Sequence, residues 1–283
     1  MPLVTTIDFH ITDQCNQDCP YCWGPKGFPH EVGTRRAEAI LRRVAELGIR
    51  RIVFTGGDPV LRPDLGHLMA RAKRLGLEVA LSTSGDALKL SALRAWGSCV
   101  DLISLPLDGP TERVSRRTKK PGHRAAILRD LRWLARFPSI DVKVCTPVTR
   151  RNLVHIPQLV DQLERLARRM PNRFFYNVFQ AYPRAMEAQD WGDLIVDQLE
   201  FAELREKVMS RPRSIPIRWL DHTTLDRLYV MILPDGTLTV PYGPDYLSFG
   251  PFLELSDLDT VLRASPFDSE KHAHHAHGWS KSS

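Results

Sequence analysis

Six apolar runs of strand length alternate with amphipathic runs between Leu3 and Gln180, and few folds admit that order. Leu3–Thr12 reads as the first strand. Arg35–Leu47 follows with Ala37, Ile40, Leu41, Val44 and Leu47 at helical spacing, and Gly48 is a stop signal. Further strands are expected at Arg51–Thr55, Leu77–Thr83, Val100–Leu107, Ile140–Val148 and Phe174–Gln180. Helices are expected at Leu65–Leu75, Ala87–Trp96, Arg124–Phe137 and Ile156–Met170. Short connections in this order argue for an α/β fold, a parallel sheet that right-handed crossovers curl into an open barrel over residues 1–185. Residues 186–283 change character. Leu199–Met209 is helical, and Tyr229–Leu233 and Thr237–Val240 flank a Pro234-Asp235-Gly236 turn as a hairpin. A small α+β extension covering the barrel mouth is expected there. Its polar end, with His272, His274, His275 and His277, reads as a solvated tail rather than a metal site.

Directly after the first strand come Cys15, Cys19 and Cys22, spaced C-x3-C-x2-C. Thiolates closing on one loop converge as iron–sulfur ligation requires, and three ligands leave one iron of a cubane open to a chelating small molecule. Structural zinc instead wants a closed tetrahedral set, usually from two paired knuckles. No second such knuckle exists, and Cys99 and Cys145 are isolated. Few cysteines, three of them clustered, suit a reducing cytoplasm. No apolar run approaches membrane-spanning length, and no signal-peptide pattern opens the chain. The net charge of +6 hints at an anionic ligand, but the basic residues are scattered over helices, as at Arg42, Arg43, Arg168 and Arg169. Without a basic stripe and interleaved aromatics, nucleic acid is not an expected partner.

The cysteine spacing, with Tyr21 just before the third cysteine, resembles the radical S-adenosylmethionine (SAM) superfamily. The resemblance implies a partial (β/α)6 barrel of TIM type, with its chemistry at the C-terminal strand ends. It implies a [4Fe-4S] cluster on Cys15, Cys19 and Cys22 that cleaves SAM to a 5′-deoxyadenosyl radical, and an electron donor such as flavodoxin or ferredoxin. Gly56-Gly57-Asp58-Pro59 matches the superfamily's GGEP motif, whose backbone and acid hold the SAM amino group, with Asp58 in place of Glu. Ser82-Thr83-Ser84-Gly85 stands where T-N-G is common, with Ser84 in place of Asn. Ser104 and Asp108 match a fourth-strand S-x-D-G pattern suited to ribose or amino-acid groups. Arg117, in a basic loop with Arg116, Lys119 and Lys120, is the expected partner of the SAM carboxylate. Asn152 reads as a helix N-cap. Cys145 reads as a small buried hydrophobe, or, if it points inward, as a hydrogen-atom donor.

Within the superfamily the chain is similar to the viperin-like, nucleotide-modifying enzymes. Phe9–Cys15 resembles their H-F-T-R-Q-C approach, Val178-Phe179-Gln180 their V-F-Q, and Phe267–Lys271 with Trp279-Ser280-Lys281 their F-D-E-K and W-S-K tail. Arg51 keeps a cation where those enzymes grip a triphosphate. Asp8 and Asn177 stand where they carry Asn and Lys, which suits a less charged ligand. The expected substrate residues are Asp8, Arg51, Asn177 and Gln180, and the expected substrate is a nucleotide, nucleoside or glycosylated small molecule of natural-product biosynthesis. Sugar or aminoglycoside epimerisation or dehydrogenation, or peptide modification, is the alternative. Against a peptide, no separate recognition domain precedes the first strand. The hairpin at Leu228–Gly243 is similar to those opening SPASM and twitch extensions, but Pro241-Tyr242-Gly243 stands at the cluster-cysteine position, so no auxiliary cluster is expected.

Overall fold

A computed structural model describes residues 2–24, 26–184 and 191–276. The strands and helices alternate as β1 (Thr6–His10), α1 (Thr34–Glu46), β2 (Arg51–Thr55), α2 (Leu65–Arg74), β3 (Glu78–Ser82), α3 (Leu90–Trp96) and β4 (Leu102–Pro106). After them come α4 (Glu112–Ser115), α5 (His123–Leu134), β5 (Asp141–Val148), α6 (Ile156–Ala167), β6 (Phe174–Gln180), α7 (Gln198–Met209) and β7 (Ile217–Leu220). The chain ends in α8 (His222–Leu225), β8 (Met231–Ile232), β9 (Thr237–Tyr242), β10 (Asp245–Pro251), α9 (Leu258–Arg263) and α10 (Ser269–Ala276).

All ten strands form one sheet in the order β10-β9-β8-β1-β2-β3-β4-β5-β6-β7, parallel from β8 through β1 to β7, and it does not close on itself. The period-2 alternation of a strand sorts its side chains onto two faces. Ile7 and Phe9, Ile52 and Phe54, Ile103 and Leu105, Val142 and Val144 join a single apolar core with Ile40, Leu41, Leu68, Leu131 and Leu159 of the helices. Each such side chain contributes about 1.5–3 kcal/mol on burial. The opposite face carries Thr6, Asp8, Arg51, Ser82, Ser104, Lys143, Cys145, Asn177 and Arg218, and encloses the barrel interior. That face is too polar to be filled by packing.

The C-terminal third enlarges the same sheet at both edges. β7, not anticipated from the sequence, adds beside β6, with Tyr176 N donating to Pro216 O at 3.0 Å. Arg218 interrupts this four-residue run, which hides it from an apolar-run criterion. The expected hairpin forms as β8 and β9, extended by β10, and docks on β1. α10 corrects the reading of a solvated tail. His272 is 3% exposed; its Nδ1 bonds Leu228 O at 2.9 Å, and its Nε2 accepts from Thr5 N at 3.1 Å. Arg218 donates to His275 O at 2.7 Å, so α10 links the start of β1 to β7 across the open side of the sheet. His277 and Trp279-Ser280-Lys281 lie outside the described residues. No helix among the described residues is long and apolar enough to cross a membrane.

Candidate active site

Two cavities occupy the barrel interior. The upper one, about 350 Å³ at the C-terminal strand ends, is walled by Cys15, Cys19, Cys22, Tyr21, Gly56 and Gly57. The lower one, about 290 Å³, holds Thr6, Arg51, Lys143, Asn177, Arg218 and His275. They meet at a waist formed by Asp8, Thr55, Ser82, Ser104, Cys145 and Tyr229, which line both.

The cysteine loop leaves β1 and is pinned from two sides. Gly57 N donates to Thr12 O at 2.8 Å and Asp58 N to Gln14 O at 2.6 Å. A Cβ on Gly56 would sit 2.2 Å from Thr12 O, and one on Gly57 would sit 2.1 Å from Gln14 O. Both glycines are therefore required by the chain's own backbone approach, before any ligand is considered. Gln17 bonds Asp86 through its amide nitrogen and accepts from Lys120 N at 3.0 Å. Lys119 Nζ lies 3.1 Å from Cys19 Sγ, while backbone N–H groups of Gln17 and Gly24 point at Cys15 and Cys22 sulfurs at 3.4 and 3.3 Å. Burial pushes the Cys19 thiol up, and the Lys119 charge opposes it. Burial would lower Lys119, but the Asp108 and Cys19 charges outweigh it and hold the ammonium protonated.

The acids expected to touch SAM frame the cavity instead of lining it. Asp58 is 0% exposed; Oδ1 accepts from Thr83 Oγ1 at 2.6 Å and Val60 N at 3.2 Å, and Oδ2 accepts from Ser84 Oγ at 2.5 Å. The shorter acid and Ser84, two departures from the superfamily pattern, thus meet in one hydrogen bond. Asp108, also 0% exposed, accepts from Tyr21 Oη and, at 2.7 Å, from Thr118 Oγ1. Asn152 stands at the N-cap position of the 3-10 turn Leu153–His155, as expected, but makes no side-chain cap bond; its Nδ2 donates to Asp108 O and Pro147 O, both at 3.0 Å. Arg117 turns outward: its Nη1 donates to Arg151 O at 2.7 Å, and Arg151 Nη1 donates to Arg117 O at 2.9 Å. From the same basic loop Lys119, not Arg117, reaches the cavity.

Ser82, Ser104 and Cys145 do face the interior, and Ser104 Oγ lies 3.2 Å from Cys145 Sγ. Among the substrate residues expected from sequence, Asp8 and Asn177 face the lower cavity, and their side chains make no hydrogen bond among the described residues. Arg51 faces it too, but Glu78 holds its guanidinium at 3.0 and 2.6 Å. Gln180 lines the upper cavity with both amide ends engaged, by Val196 O at 2.9 Å and by His222 N at 3.0 Å. Three residues escaped the sequence reading. His10 lines the upper cavity with its Nδ1 buried and unpartnered, and burial lowers its pKa to about 4. Trp23 and Lys143 had only a visible signal: one follows Cys22, and the other precedes Cys145 by two residues, which puts both on one face of β5.

Three sulfurs on one wall, each met by an N–H or ammonium donor, fit a cluster of net negative charge. Among the described residues no three His, Cys, Asp or Glu side chains converge on a single ion. The fold and this wall define a barrel enzyme built around an iron–sulfur loop. The sequence pattern of the Radical SAM superfamily matches residues 9–170, more than half the chain, and the chain belongs to that superfamily. It is a radical SAM enzyme whose cofactors are a [4Fe-4S] cluster and SAM. It is 25% identical over 270 residues to an S-adenosylmethionine-dependent nucleotide dehydratase from Flammeovirga pacifica, covering 89% of this chain and 88% of that protein. It is 27% identical over 208 residues to an AdoMet-dependent heme synthase from Oleidesulfovibrio alaskensis, covering 72% of this chain. It is 35% identical over 157 residues to a PqqA peptide cyclase from Gluconobacter oxydans, covering 53% of this chain. It spans 52% of that synthase and 43% of that cyclase. Among solved structures, Streptococcus suis SuiB bound to precursor peptide SuiA matches 98% of this chain and 67% of its own, with a TM-score of 0.70 and 14% identity, a likeness of fold.

Proposed function

We propose that the enzyme abstracts hydrogen from a nucleotide, nucleoside or glycosylated small molecule held in the lower cavity, with SAM in the upper one. The observation that carries this reading is the shared waist at Asp8, Ser104 and Cys145, which lets two ligands meet inside one shielded barrel. When bound, the cluster and SAM supply the hydrogen-abstracting radical. Cys15, Cys19 and Cys22 hold the cluster, and Lys119 offsets its charge. Gly56 and Gly57 present bare backbone to SAM, while Asp58 and Asp108 fix that wall from behind. α10 and the segment around Trp191 and Leu194 exclude water. Similarity to the nucleotide dehydratase over nearly the full length of both chains supports the substrate class. A flavodoxin or ferredoxin supplies the electron.

Anaerobically reconstituted protein, incubated with SAM and a panel of nucleosides and their phosphates, should release 5′-deoxyadenosine fastest with its true substrate. A panel that leaves release at the substrate-free rate, while a peptide raises it, overturns the assignment.

Cys145 favours a second reading, epimerisation of a sugar. Its thiol sits at the waist, where it can return hydrogen to a substrate carbon radical: S–H breaks, C–H forms, and the thiyl left behind takes one electron from the donor protein and one proton from water. In deuterated buffer the product would then carry one solvent deuterium, and Cys145→Ala would abolish that label.

A further inference from the structure

The lower cavity has two poles of opposite charge on facing walls. Arg51 is spoken for by Glu78, which leaves three charged side chains without an oppositely charged partner in ion-pair contact among the described residues: Asp8, Lys143 and Arg218. Asp8 stands on β1. Lys143 stands on β5, four strands along the curved sheet, and Arg218 on β7 flanks β6 on its other side. Arg218 uses one nitrogen to hold α10 through His275. Asn177, between the two cations in the sheet order, adds an amide with no partner among the described residues.

We propose that this cavity selects a compact substrate carrying one amine and one anionic group, the amine against Asp8 and the anion between Lys143 and Arg218. The inference rests on the function proposed above and names the substrate class for that site. Three observations support it. An acid in a shielded chamber with no hydrogen-bond donor costs stability, and an incoming ammonium offsets that cost. The same acid repels a polyphosphate, which would find two cations outside ion pairs rather than a cluster of them. At about 290 Å³ the cavity lies at the low end of ligand-site volumes, about 300–1,000 Å³, and suits one sugar or nucleoside. Phe175, Phe179 and Leu228 supply apolar surface for its ring.

The test uses calorimetric titration of the reconstituted full chain with SAM present, and four probes: glucosamine 6-phosphate, glucose 6-phosphate, glucosamine and cytidine triphosphate. Glucosamine 6-phosphate should bind about tenfold or more tightly than either single-charge sugar, and more tightly than cytidine triphosphate. Asp8→Asn should erase its advantage over glucose 6-phosphate. Lys143→Gln should erase its advantage over glucosamine. Should one variant fail to fold, the ranking in the wild-type protein still decides. Equal binding of all four, no binding by any, or preference for the triphosphate overturns the proposal. Deoxyadenosine release is scored in the same samples, so loss of selectivity and loss of the proposed reaction are separate readings.

Discussion

The two cavities share a waist, yet they treat their acids differently. Around the upper cavity each acid is held by the protein: Asp58 by Thr83, Ser84 and Val60 N through both oxygens, Asp108 by Tyr21 and Thr118 through Oδ2. In the lower cavity Asp8, Lys143 and Asn177 are left for something else to satisfy. The difference teaches where chemistry common to a superfamily ends and selectivity begins. A cluster and SAM demand a rigid wall, so the acids behind that wall are anchored by hydrogen bonds within the chain. A substrate is recognised only by groups that the fold leaves open.

The strongest way to break the upper wall is at its sulfurs. Cys15→Ala, Cys19→Ala and Cys22→Ala should each abolish iron retention and SAM cleavage, measured by iron assay and deoxyadenosine release. Any one of them with full release removes the cluster assignment.

Asp58 comes next. If it frames the wall, Asp58→Ala removes the acceptor of the Thr83 and Ser84 hydroxyls and of Val60 N and should cost about 2–4 kcal/mol in urea unfolding. SAM affinity at low temperature should then fall less than stability does. A stable variant with strongly weakened SAM binding would return Asp58 to direct contact with the ligand, as the sequence pattern implied.

The lower cavity can be pushed toward polyphosphate. Asp8→Asn with Asn177→Lys removes a like charge and adds a counter-charge, each interaction being worth about 1–3 kcal/mol. The triphosphate-to-nucleoside affinity ratio should rise by about tenfold or more. A flat ratio would show that these side chains do not face the substrate.

The pH dependence of stability sharpens the comparison most. Burial raises the Asp8 pKa to about 6, against 3.8 for the free acid, although Lys143 and Arg51 pull it down. Arg218, Tyr229, His272 and His275 also border this chamber. Because the folded value is the higher one, the stabilisation from protonated Asp8 is full below 3.8 and lost as pH rises through about 6. Asp8→Asn keeps that stabilisation at every pH. The ligand-free variant should therefore be up to about 3 kcal/mol more stable at pH 8, with the gap closing toward pH 4. A structural acid would give the opposite sign, and thermal melts across that range distinguish the two.

The sequence by itself determined the frame. Alternating strand and helix periods set the parallel sheet, because a strand buried on its outer face must repeat Ile7 and Phe9, or Ile103 and Leu105, at period two. The spacing of Cys15, Cys19 and Cys22 set the cofactor loop, since ligands close in sequence are close in space. Gly56 and Gly57 were legible for a related reason: no other residue survives that backbone approach. Only the tertiary structure decided which charges are spent. Glu78 neutralises Arg51 from a neighbouring strand, Ser84 answers Asp58 from the next loop, and Arg117 and Lys119 part company two residues apart. The polar run at 269–276 gave no sign that His272 would be buried, because Thr5, its partner, lies 267 residues away. Local pattern fixes which face a side chain takes, but whether its charge is paired depends on contacts that only the folded chain brings together.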